Sequence, residues 1–171
     1  MTQYARPDSD ISATNWTGAY TAIDEETPND SDYITGSSSA NGTDEVGLSN
    51  VTDPASSANH VIKFRARQSG TPGHQRYLTL VLCQGSTGIA ITPTATLDGS
   101  TWTDYSYTLS SAEADALTDY TDLRLRIISS GDVGAPSGSR RSVYVSWVDF
   151  EVPDVAGSGC TPLLLRTIEN Y

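Results

Sequence analysis

The chain has 171 residues, a net charge of −11, and one lysine against nine arginines. One domain of this length buries about 70% of its unfolded surface, enough for a core without staples. The acidic balance argues against a nucleic-acid partner, which needs clustered Lys and Arg. No apolar run approaches a membrane span, which takes roughly 20 residues, and two cysteines, Cys83 and Cys160, make no disulfide framework.

The opening "TQYARPDSD" is polar and has no apolar h-region, so no secretion signal is expected. The sequons at Asn15, Asn41 and Asn50 are then read as chance. Weak strands are expected in "GAYTAID", "DYITGS" and "EVGLSNV". Strong ones are expected over His60–Ser69, Arg76–Gly85, Gly88–Leu97, Trp102–Ser110, Asp122–Ser130 and Ser139–Pro153. Eight or nine strands with turn residues every ten positions or so predict an all-β, two-sheet antiparallel sandwich, jelly-roll-like. "SSAEADALTDY" predicts one short helix. Ser110 or Ser111 precedes Glu113 at its start, and Ala112, Ala116 and Leu117 are its candidate buried side. The sandwich is expected to fill residues 1–153. Residues 154–171 form a Gly-Ser linker and an apolar C-terminal arm.

Side chains alternate across a strand, which assigns faces. Ile62, Phe64 and Ala66 point to the core, as do Leu78, Leu80 and Leu82, then Tyr105, Tyr107 and Leu109, then Leu123, Leu125 and Ile127. Lys63, Arg65, Arg67, Arg124 and Arg126 fall on outer faces, so half of the ten cations sit there. The last strand resists this scheme. One side carries Tyr144, Ser146, Val148, Phe150 and Val152. The other carries Val143, Val145 and Trp147, then Asp149 and Glu151. Three readings of Trp147 stand: arginine side chains cover it, a bulge or the N-terminal segment makes it core, or it belongs to a binding face.

Catalytic chemistry is not evident. His60 and His74 are the only histidines and sit in unrelated contexts, and no phosphate-cradling loop, CxxC or HExxH occurs. "IDEETPNDSDY" gathers Asp24, Glu25, Glu26, Asp30 and Asp32. Such a cluster suits either a calcium ion or a solvated acidic loop. A non-enzyme without metal or cofactor is expected.

An ordered series of motifs carries a family resemblance: "ARPDSD", Trp16, "IDEETPNDSDYI", "GLSNVTDP", "SAEADALTDYTDLRLR" and "VSWVDFEVP". Over residues 5–153 the chain resembles small β-sandwich proteins encoded among the virion genes of tailed bacteriophages and in prophages. More loosely, it resembles the jelly-rolls of carbohydrate-binding modules. The resemblance implies a non-catalytic virion protein, made in the host cytoplasm and decorating a capsid or another particle surface. Its partners would be major capsid or tail subunits, with self-association expected. The tail departs from the family pattern. Leu163, Leu164, Leu165, Ile168 and Tyr171 are the candidate docking arm, and Trp147 with Arg124 and Arg126 is a second contact candidate. The alternative is a carbohydrate-binding module or adhesin for a host glycan, with Trp16, Trp102 and Trp147 as stacking residues.

Overall fold

The computed structural model describes residues 2–70, 74–99, 101–131 and 140–155. Among these, twelve strands build two antiparallel sheets. Sheet A holds β1 (Thr2–Ala5), β3 (Trp16–Thr17), β4 (Ile34–Gly36), β6 (Val61–Gln68), β10 (Thr103–Thr108) and β12 (Val143–Pro153). Its order is β10-β6-β12-β4-β3, with β1 also pairing with β12. Sheet B holds β2 (Pro7–Thr14), β5 (Gly42–Leu48), β7 (Arg76–Gln84), β8 (Thr87–Ile91), β9 (Ala95–Thr96) and β11 (Leu123–Gly131). Its order is β2-β5-β11-β7-β8, with β9 on β7. The chain crosses repeatedly between the sheets, as in a jelly-roll.

The core lies between the inner faces. Ile62, Phe64 and Ala66 of β6 meet Leu78, Leu80 and Leu82 of β7 and Leu123, Leu125 and Ile127 of β11 in one cluster. This is the alternation read from the sequence. Tyr105 stacks on Phe64 with ring centroids 4.9 Å apart. Cys83 is a buried free thiol.

Several sequence expectations need correction. The first three strands were not expected, because their residues are polar. β2 is an edge strand of sheet B and is mostly exposed, so no apolar alternation is required of it. Two register shifts also distort it, as edge strands often are. "GAYTAID" forms a 3-10 turn, Tyr20–Ala22, rather than a strand. There the Tyr20 amide donates to Asp10 Oδ1 instead of to a neighbouring strand. "GIAITPTATL" is divided into β8 and β9 around Pro93, which has no N–H for the ladder.

The helix α1 (Ser111–Asp115) starts with a full capping box. Ser110 Oγ accepts from the Glu113 amide, and Glu113 accepts from the Ser110 amide. Ala114 is its buried residue, and Leu117, just beyond its end, is buried as well; Ala112 and Ala116 face solvent.

Trp16 and the β2–β3 turn show why small residues sit where they do. Asn15 takes a left-handed conformation (φ 61°) and lets the chain leave sheet B for sheet A. Trp16 then packs into the core. A Cβ on Gly36 would lie 3.1 Å from its ring, and one on Gly42 would lie 3.0 Å from it.

Candidate functional site

The last strand explains its own pattern through a bulge. β12 pairs with β6 in register up to Val145–Ala66, then resumes at Trp147–Arg65, so Ser146 is the extra residue. An extra residue reverses the alternation beyond it. Val143 and Val145 before the bulge and Val148, Phe150 and Val152 after it are therefore all core. Tyr144, Trp147, Asp149 and Glu151 share the outer face of sheet A. The sequence reading that put Tyr144 and Val148 on one side is corrected accordingly. The bulge does not make Trp147 core; it aligns Trp147 with Tyr144 on the outside.

The expected arginine cover goes to other rings. Arg67 lies over Tyr144 and Trp102, 4.6 and 4.9 Å from their ring centroids. Tyr33 completes that aromatic group, 5.1 Å from Tyr144 and 5.8 Å from Trp102. Trp147 is met by the acidic segment between the 3-10 turn and β4. Its Nε1 donates to the Glu25 carbonyl at 2.9 Å. Asp30 anchors the same segment. It accepts from Arg65 Nε at 2.8 Å and Nη2 at 3.0 Å, and from the bulged Ser146 hydroxyl at 3.4 Å. Arg65 beside it holds the Asp30 carboxyl below its ordinary range. Arg65 also donates to Asp104 at 2.8 Å.

The segment crosses the sheet like a strap and leaves a groove on either side. One, of about 420 Å3, is lined by Pro28, Lys63, Asp104, Tyr105, Ser106 and Trp147. The other, of about 350 Å3, is lined by Tyr4, Arg6, Glu26, Thr27, Pro28, Trp147, Asp149 and Glu151. Trp147 and Pro28 are the wall common to both. The groups around the indole are donors and acceptors in mixed sequence. Lys63 is hydrogen-bonded to Glu151, which raises the lysine's pKa. Asp149 is buried, and desolvation pushes its pKa up to about 6 against the pull of Arg6 at 3.8 Å.

An aromatic surface ringed by fixed hydrogen-bonding groups suits a ligand with alternating apolar faces and hydroxyls. Within the acidic segment the Asp30 carboxylate bonds to Arg65 of the sheet, whereas Glu26 lines a groove. Among the described residues no three His, Cys, Asp or Glu side chains converge as a metal site.

The expected second contact patch does not assemble. Arg124 and Arg126 belong to β11 in sheet B, whereas Trp147 belongs to sheet A. The two arginines serve Glu45: Arg126 Nε donates to it at 2.6 Å, and Arg124 Nη1 lies 3.6 Å from it. The sequence could not show which arginine-bearing strand borders β12, and it is β6. Of the three tryptophans, Trp16 is core, while Trp102 and Trp147 are half-buried on the outer face of sheet A. Leu163, Leu164, Leu165, Ile168, Tyr171 and Cys160 lie outside the described residues. The sequence reading missed Tyr4, Arg6, Lys63 and Asp104 as neighbours of Trp147. The period-two spacing of Trp147, Asp149 and Glu151 was the one available signal.

No protein-family model matches the chain, and no curated protein sequence matches it. Solved structures similar to it include a CBM35 from Paenibacillus barcinonensis. That likeness has 14% identity and a TM-score of 0.49, and covers 90% of this chain and 99% of that one. The C-terminal CBM6 of LamC, a laminarinase from Zobellia galactanivorans, is 12% identical with a TM-score of 0.48, covering 89% of this chain and 100% of that one. The CBM29_1 module from Piromyces equi is 11% identical with a TM-score of 0.42, covering 90% and 92%. These are carbohydrate-binding modules; at such identities and scores they assign neither family nor ligand to this chain.

Proposed function

We propose that this protein is a non-catalytic carbohydrate-binding β-sandwich that holds a glycan across the outer face of sheet A. The observation that carries the reading is Trp147. Its indole is the shared wall of two adjoining grooves whose other walls supply donors and acceptors at fixed positions. A sugar ring offers an apolar face to the indole and hydroxyls to Lys63, Ser106, Asp104 and Asp149.

The test is calorimetric titration with cellohexaose, laminarihexaose and mannohexaose, each at a concentration that detects millimolar binding. Binding of at least one is expected, with a loss of about tenfold or more in Trp147→Ala. If none of the three binds, or if Trp147→Ala binds as well as the native chain, the reading fails.

The particle-surface role is a separate proposal. It rests on three consecutive leucines, Leu163–Leu165, behind a Gly-Ser linker. An apolar run on such a tether needs a surface to cover it. A virion subunit is the partner implied by the family resemblance, and a glycan-binding sandwich on a particle would serve host attachment.

A further inference from the structure

Asp149 is only 2% exposed, yet it lines the second groove. Among the described residues its Oδ1 has no hydrogen-bond partner. A buried acceptor left without a donor costs stability, and a charged one costs more. The neighbouring cations do not relieve it. Lys63, opposite Asp149 on β6, is engaged by Glu151. Arg6 reaches Asp149 Oδ2 only at 3.8 Å, and its own Nε is also unpartnered. Burial is the main cause of the raised pKa, about 6; Glu151 adds to it, and Arg6, Lys63 and a hydrogen bond from the Phe150 backbone oppose it without cancelling it. The cost falls beside an indole face and an open groove, where a ligand could supply the missing donor.

We infer, resting on the glycan reading above, that Asp149 is the specificity-determining residue of the groove. Its carboxylate accepts a hydrogen bond from a hydroxyl of a neutral sugar whose ring lies against Trp147. Hydrogen bonds to an ionised acceptor are the strong ones, so one such bond discriminates sharply between ligands. Sugars bearing carboxylates are rejected, because Glu26, Asp149 and Glu151 outnumber Arg6 in the same lining.

The experiment uses the full chain and whichever of the three neutral hexasaccharides binds, with hexagalacturonate as the anionic probe. Affinity for the neutral sugar should fall about tenfold between pH 7 and pH 5, as a carboxylate whose pKa is about 6 is protonated. Asp149→Asn should bind about ten- to a hundredfold more weakly at pH 7, with a flat pH profile. Hexagalacturonate should not bind. In the native chain, the Asp149 carboxyl carbon, followed by NMR, should titrate at lower pH with the sugar than without it, a readout that needs no variant. If Trp147→Ala loses binding but Asp149→Asn keeps both affinity and pH profile, this inference is overturned and the glycan reading stands. An unmoved carboxyl titration, or equal binding of hexagalacturonate, also overturns it. If no neutral hexasaccharide binds the native chain, both fail together.

Discussion

Asp149→Asn should make the protein more stable at neutral pH. The folded-state pKa of Asp149 is about 6, against an ordinary 3.8, so folding disfavours the ionised form. The interval is about two pH units, and at about 1.4 kcal/mol per unit the ionised carboxylate costs about 3 kcal/mol at pH 7. The sign follows from proton counting. Between pH 4 and pH 6 the folded chain binds more protons here than the unfolded chain, so stability rises as pH falls from 7 towards 4. Asp44 contributes in the same direction. It is buried, and its pKa is also raised to about 6, by burial first and the nearby Asp10 second.

The asparagine variant mimics the neutral acid. It should gain up to about 3 kcal/mol at pH 7, little at pH 4, and keep the part of the pH dependence that belongs to Asp44. The assay is urea unfolding of both chains at pH 4, 5, 6 and 7. A variant no more stable than the native chain at pH 7, or a native chain whose stability does not rise from pH 7 to pH 5, would refute the reasoning. A buried carboxylate that weakens the fold is the kind of group retained for function rather than for stability.

Arg65→Ala should release the strap from the sheet. The Arg65–Asp30 and Arg65–Asp104 pairs are partly exposed, so the loss in stability should stay at about 1 kcal/mol. Acrylamide quenching of Trp147 should nevertheless rise; unchanged quenching would mean that Asp30 does not hold the strap. Ser110→Ala removes one half of the capping box and should cost about 1 kcal/mol by denaturant unfolding, and a neutral result would deny α1 its cap. A chain stopped after Pro153 should remain folded and monomeric by light scattering, while the full chain self-associates; equal masses would count against the docking arm.

The fold was legible where one face of a strand is buried and the other is wet. Ile62–Phe64–Ala66, Leu78–Leu80–Leu82 and Leu123–Leu125–Ile127 obey period two because a sheet face packs on the core. The legibility failed in three physical situations. An edge strand such as β2 buries little, so "PDSDISAT" carries no apolar alternation. A bulge changes phase within a single strand, so Ser146 made β12 look apolar on both sides. Long-range pairing decides neighbours, so Arg65 and Arg67, rather than Arg124 and Arg126, border β12. The site was legible only in part for the same reason. Trp147 stood out as an apolar residue without an obvious cover. The strap that meets it was visible only as an acidic run, and Tyr4 and Arg6 reach the groove from a segment that did not read as a strand.

The most direct measurement is an amide and indole NMR perturbation map during titration with the neutral hexasaccharides. Shifts should be confined to the outer face of sheet A: the Trp147 indole, Tyr4, Lys63, Asp104 and Asp149. Shifts centred on Glu45, Arg124 and Arg126 of sheet B, or no shifts with any of the sugars, would contradict the glycan reading.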